Sequence, residues 1–238
     1  MAMVKKTIIV SIHGILTDAK NTDVWQHVFG NWIKEHYLDE FDEKIMEYRL
    51  FSFGYLTPVK SWIRRWLVPL LEKLKLDHLP DNWAISKFEK YLLKLKKANP
   101  GARIHIVGHS YGTWVTIKML RRNRALRVQS ITLIGSVVSA HIKKSKIDNL
   151  LKNKQIKACF NFSSHGDTVV RMSPPPFGHL GYWGFLTDDE TDRITPRIMP
   201  FSGLEIHNSH STDYDHNDYF NPGVFKIILQ GIEHANKQ

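Results

Sequence analysis

Ser110 stands where this chain could do covalent chemistry. Gly108-His109-Ser110-Tyr111-Gly112 fits Gly-x-Ser-x-Gly, with the apolar run 104–107 leading in and the helix-like segment 113–122 leading out. Five residues match by chance often, so the flanks carry the argument. A serine on a sharp strand-to-helix turn holds its hydroxyl clear of the sheet, and the glycines are needed because larger side chains would collide with the adjacent strand and helix. The helix N-terminus beside it favours developing negative charge. That setting suits nucleophilic attack and a covalent intermediate; the bland alternative is an ordinary glycine-rich turn.

A serine nucleophile needs a base and a group that orients the base. Three histidines, His207, His210 and His216, crowd one segment together with Asp213, Asp215 and Asp218. Histidines and carboxylates so close also suggest a metal cluster, but His207-x-x-His210 matches no helical His-Glu-x-x-His site and its Asn, Ser and Thr neighbours read as loop. No metal and no organic cofactor is expected. Gly178-x-x-Gly181-x-x-Gly184 lacks the Gly-x-Gly start and a preceding strand of a dinucleotide site, and no phosphate-cradling Gly-Lys-Ser/Thr loop occurs. The lone Cys159 lies in the apolar run 156–162, reads as a buried inert thiol, and requires no oxidising compartment.

The elements that would position these residues alternate between strand length and helical period, the pattern of a mainly parallel sheet with crossover helices. Expected strands are 7–12, 46–53, 103–108, 130–136, 156–163 and 203–207; expected helices are 23–37, 83–97, 112–122, 141–152 and 222–234. Residues 23–37 place Val24, Trp25, Val28, Phe29, Trp32 and Ile33 on one face, and Asn99-Pro100-Gly101 stops the helix over 83–97. At 238 residues and 42% hydrophobic, the chain can bury one sizeable core, so one domain is expected over 1–238. Two regions, 54–82 and the Pro- and Gly-rich 170–202, break the alternation and sit where an enzyme of this pattern would carry a lid or substrate loops.

The stretch around Ser110 resembles the nucleophile elbow of the α/β-hydrolase superfamily, esterase and lipase branch. The run 8–12 into His13-Gly14-Ile15 is similar to the His-Gly turn after that fold's third strand, and Thr17 and Trp25 resemble the His-Gly-Ile-x-Thr…Trp opening of some bacterial and phage members. The resemblance implies a minimal α/β-hydrolase fold, a mainly parallel sheet of about six strands flanked by helices, starting at the family's third strand, with 54–82 as cap. It implies an oxyanion hole from the backbone N–H groups of Ile15 and Tyr111, and the order serine, acid, histidine. Asp167 fits the acid, in the turn 163–169 after the strand 156–162; Asp188, Asp189 and Asp192 follow no strand. His216 fits the histidine, because His216-Asn217-Asp218-Tyr219-Phe220 precedes Pro222 and the final apolar-periodic segment and resembles the ending of small esterases. His210 is the alternative, and His207 reads as a strand end.

The expected activity is hydrolysis of a carboxylic ester, in a small molecule or a lipid, through an acyl-enzyme on Ser110, His216 and Asp167. Amidases and thioesterases share that constellation, and a non-catalytic interaction protein on the same scaffold is the reading from another class. The formal charge is +10, and between positions 60 and 103 eleven basic residues face four acidic ones. In 60–76, Trp62, Ile63, Trp66, Leu67, Leu70 and Leu74 recur at helical spacing beside Lys60, Arg64, Arg65, Lys73 and Lys75, which suits a cap helix or a peripheral membrane contact. No helix-turn-helix or RNA-binding signature accompanies the basic surplus, so nucleic acid is not an expected partner. No apolar run of spanning length and no signal-type leader is read, which points to a cytoplasmic protein, peripheral at a membrane surface if 60–76 binds lipid.

Overall fold

The computed structural model describes residues 6–14, 25–37, 46–51, 79–173, 175, 177–186 and 206–238. Its strands are β1 (Thr7–Ile12), β2 (Met46–Phe51), β3 (Arg103–His109), β4 (Ser130–Ile134), β5 (Ala158–Ser164) and β6 (Ile206–Ser211). They form one sheet in the order β2-β1-β3-β4-β5-β6, with every neighbouring pair parallel. A parallel sheet is covered on both faces, which is why its central strands read as nearly continuous apolar runs.

Side chains alternate across each strand, and β1 shows the consequence. Ile8, Val10 and Ile12 join one core, under α2 (Leu79–Ala98), α3 (Tyr111–Arg122), and the short α4 (Ile142–Ser145) and α5 (Ile147–Lys152), through Phe88, Leu92, Val115, Ile142 and Leu150. Ile9 joins the other, under α1 (Trp25–Tyr37) and α8 (Pro222–Asn236), through Phe29, Phe225 and Ile232. Two further short helices, α6 (Thr168–Arg171) and α7 (Leu180–Trp183), follow β5. Asn221 caps α8, its side chain accepting from the Val224 N–H at 3.1 Å, with Pro222 at the first turn.

Most element boundaries shift by a residue or two from the sequence expectation, and three elements differ by more. The helix expected over 141–152 is two, because Lys146 takes the left-handed conformation (φ 65°) between α4 and α5. Ile142 and Ile147 are both buried but five residues apart, a spacing that lands on opposite sides of a continuous helix, so the turn must break to bury both. The strand expected at 203–207 is β6 at Ile206–Ser211, a polar segment held by pairing with β5 rather than by apolar alternation. The helix over 83–97 starts earlier, at Leu79. The proposed cap therefore lies outside the described residues except for 79–82, which open α2, and the tryptophan-bearing stretch 60–76 lies outside them entirely.

The sequence leaves β1 for β2 in one direction and continues from β3 to β6 in the other. The carboxyl ends of β1 and β3 are thus adjacent, with their following turns side by side at the point where strand order reverses. Such a crevice is where open α/β sheets bind ligands. His13-Gly14 leaves one of those ends and Ser110 the other.

Candidate active site

Ser110 links β3 to α3 with φ 52° and ψ −126°, a conformation that non-glycine residues avoid and that functional turns sustain. Its backbone is held on both sides. The Ser110 N–H donates to the Ile134 carbonyl (3.0 Å), and the Thr113 N–H and hydroxyl donate to the Ser110 carbonyl (3.0 and 2.6 Å). Ser136 in turn donates to the Thr113 hydroxyl at 3.0 Å. The elbow's second glycine is required by space, since a Cβ on Gly112 would sit 2.6 Å from the Ile12 carbonyl oxygen and 2.7 Å from that of His13. That contact brings the end of β1 against the first turn of α3. Gly14 lies directly beside the serine, where an added Cβ would come within 3.4 Å of Ser110 Oγ.

Asp167 ends the turn after β5 and caps α6, its Oδ1 accepting from the Val170 N–H at 2.9 Å. The carboxylate is fully buried. His216 Nδ1 lies 3.0 Å from both of its oxygens, and the Tyr219 hydroxyl is 3.4 Å from Oδ2. The Tyr219 hydroxyl shares its one proton with the Gly181 carbonyl at 3.3 Å, but the Val170 N–H and His216 Nδ1–H already satisfy the buried carboxylate, and the bond to Nδ1–H leaves Nε2 of His216 as the proton acceptor. Burial, then the neighbouring Asp167, pushes the Tyr219 phenol far above its usual range, so it is a hydrogen donor at any working pH. Gly135 (φ 49°) leaves the pair its room: a Cβ there would lie 3.1 Å from Asp167 Oδ2 and 3.2 Å from His216 Nδ1.

His109, the residue before the serine, joins the two halves of the site. Its Nε2–H donates to the His216 carbonyl at 3.0 Å, and the two imidazoles pack with centroids 4.6 Å apart. Burial, reinforced by the His216 imidazole, pushes its pKa down to about 3, so it is neutral with the proton on Nε2. Phe220 stands edge-on to it at 4.8 Å and stacks on Trp25 at 5.0 Å. Trp25 thereby ties α1 to the histidine loop. The Ser110 hydroxyl makes no hydrogen bond to His216 among the described residues.

Ser110, Asp167 and His216 are brought to one end of the sheet. His210 is not brought to Asp167; it stands within β6, with Nδ1 3.0 Å from Ser163 Oγ and its ring 4.3 Å from that of His165. His207 stacks on Phe160 at 4.8 Å. Tyr111 is the first residue of α3, where backbone N–H groups project from the helix end. Ile15, Thr17, Asp188, Asp189 and Asp192 lie outside the described residues. His109, Tyr219 and Gly135 are the contributors that sequence reasoning passed over: His109 was visible as the variable residue of the elbow, but nothing local says that it grips a loop 107 residues away. Cys159 is fully buried on β5, and burial raises its thiol far above the usual range. No metal-holding group of three or more ligating side chains occurs among the described residues, and none of their helices is long and apolar enough to cross a membrane.

A family described as "Alpha/beta hydrolase of unknown function" (DUF900) matches residues 75–177, a span that includes Ser110 and Asp167. An uncharacterized protein from Bacillus cereus ATCC 10987 superposes with a TM-score of 0.58 at 11% identity, over 98% of this chain and 61% of that one. The chain thus spans under two thirds of that protein's length. A gene product of Listeria innocua gives 0.51 at 11% identity, over 96% and 94% of the two chains. An alpha/beta hydrolase enzyme from a sediment metagenome of the Mar Chica lagoon, Morocco, gives 0.50 at 12%, over 98% and 93%. No curated protein matches the sequence.

Proposed function

We propose that this chain, whose fold is that of the α/β hydrolases, is a serine esterase acting on small-molecule or lipid carboxylic esters. The observation that carries the reading is the buried Asp167 carboxylate at 3.0 Å from His216 Nδ1, at the sheet end where Ser110 occupies its strained turn. A binding scaffold has no use for a desolvated carboxylate that fixes a histidine tautomer.

In the proposed reaction His216 Nε2 takes the hydroxyl proton as Ser110 Oγ attacks the ester carbonyl. The oxyanion is held by the N–H groups of Ile15 and Tyr111. Collapse breaks the C–O bond, and the alcohol leaves with the proton from His216. Water, deprotonated by the same nitrogen, then releases the acid and restores Ser110. Catalytic hydrogen bonds of this kind are often long in free enzymes and tighten only when substrate is bound.

Labelling with a fluorophosphonate probe tests the reading, followed by a panel of p-nitrophenyl esters of increasing length with one thioester and one anilide. Wild type should label and hydrolyse esters best, and Ser110→Ala should do neither while melting within a few degrees of wild type. Equal labelling of the variant refutes the nucleophile, and preference for the thioester or anilide moves the substrate class.

A further inference from the structure

The surplus of positive charge is concentrated in one part of this chain. Positions 86–157 hold seventeen of the 33 basic residues and two of the 23 acidic ones, so the remainder carries more acids than bases. That span holds α2 from position 86 onward and all of α3, α4 and α5, most of the layer over one face of the sheet. In the opposite layer α1 has one lysine and one glutamate, as does α8. An even solvated surface would not divide this way.

The charge converges on a cleft of about 520 Å³ between α3 and α5, lined by Lys118, Arg121, Arg122, Arg124 and Lys146. Ordinary structural roles account for part of the set. Arg122 pairs with Glu89, and the Lys118 ammonium lies 5.0 Å from the Trp114 ring centroid. Arg121, Arg124 and Lys146 are exposed and make no ion pair among the described residues. Lys146 moreover occupies the left-handed position that breaks α4 from α5, where glycine would be unstrained. Asn149 and Asn153 add amide donors to the same wall, and the cleft has no carboxylate in its lining. Guanidinium forks, an ammonium and amide donors around a concave space form the donor set that a phosphate group requires.

We propose that this cleft is a phosphate-binding site, taking a multiply charged phosphate carried by a lipid headgroup or by a free polyphosphate. It is separate from the Ser110 centre. Arg121 is eleven residues along α3 from the serine, about 16 Å along the helix axis, so the site stands independently of the esterase reading. A nucleic acid fits less well, because Trp114 is buried and the lining offers no exposed ring on which a base could stack.

The test uses the full chain and two probes: inorganic tripolyphosphate in a calorimeter, and flotation with phosphatidylcholine vesicles containing phosphatidic acid. Wild type should bind at least one at low salt and lose it as salt rises. The variant Arg121→Gln/Arg124→Gln/Lys146→Gln should bind on the order of a hundredfold more weakly, at roughly fivefold per cation removed, with acetate ester turnover and melting temperature unchanged. Lys226→Gln on α8 should bind as wild type does. Tripolyphosphate that displaces the vesicles supports the site with free phosphate as a sufficient ligand; vesicle binding without tripolyphosphate affinity supports it with the headgroup as source. Equal binding by the triple variant, no binding of either probe, or tighter length-dependent binding of a single-stranded oligonucleotide overturns the proposal.

Discussion

Replacing His109 by Phe separates the packing of the imidazole from its hydrogen bond. A phenyl ring keeps the aromatic contacts to Phe220 and Trp25 but removes the Nε2–H that donates to the His216 carbonyl at 3.0 Å. That carbonyl, left unpaired in a buried place, costs about 1–3 kcal/mol. Part is recovered, because the buried Nδ1 of His109 has no hydrogen-bond partner among the described residues and leaves with it. The melting temperature at pH 7.5 should therefore fall by only a few degrees, at roughly 2–4 °C per kcal/mol for a chain of this size. Turnover should fall further. Among the described residues the backbone of His216 then keeps only the bond from its N–H to Asp215 Oδ1, and a displacement of about 1 Å at a catalytic base costs on the order of a hundredfold.

Acid titration gives the second readout for that variant. His109 titrates at about 3 in the folded chain against about 6.5 unfolded, so between those values the unfolded state holds one more proton. Its contribution to stability is complete above pH 6.5 and is lost as pH falls towards 3. Wild-type stability should thus decline more steeply than that of His109→Phe, by up to about 1.4 kcal/mol per pH unit near pH 5. His105, pushed down to about 4 chiefly by burial, adds the same sign to both proteins and does not confuse the difference. Urea titrations from pH 7.5 to 4.5 measure the slopes, and His109→Gln, which retains a donor, should recover much of the turnover. Identical slopes, or wild-type turnover in the phenylalanine variant, would refute the positioning role.

Asp167→Asn should lower kcat on p-nitrophenyl acetate about ten-thousandfold through the wrong histidine tautomer, and adding His216→Ala should cost little more, whereas independent residues would multiply their losses. His210→Ala should stay within a fewfold of wild type; a loss matching that of His216→Ala would move the base to β6. Gly135→Ala, at φ 49° and with its new Cβ 3.1–3.2 Å from Asp167 and His216, should reduce kcat more than it raises KM, and unchanged kinetics would show that the pair does not need that space. Trp62→Ala/Trp66→Ala should impair long acyl esters well beyond acetate if 60–76 covers a lipid-like substrate, and an unaltered chain-length profile would remove that role.

What could be read from the sequence divides along the range of the interactions. The elbow is local. Gly112 is demanded by the carbonyls of Ile12 and His13 a few ångströms away, and any sequence that turns from strand to helix around a strained serine must show it. Asp167 is nearly local, because its place in the turn after β5 follows from a strand that its own apolar run announces. The histidine is not local. Choosing between His210 and His216 depends on the extent of β6, and Ile206–Ser211 hides its strand character because pairing with β5 on one side suffices to hold a polar edge. Once that pairing is granted, His210 is locked within the strand beside Ser163 and His165, and His216 is the histidine on the loop that reaches Asp167. The break at Lys146 was legible in principle from the five-residue gap between Ile142 and Ile147. The grip of His109 on His216 was not, since 107 residues separate donor from acceptor and only the crossing of β3 with the last loop brings them together. Ser110 and Asp167 therefore carry local signatures, while His216 and the residues that hold the site's geometry, His109, Gly135 and Tyr219, acquire their roles only from the assembled sheet.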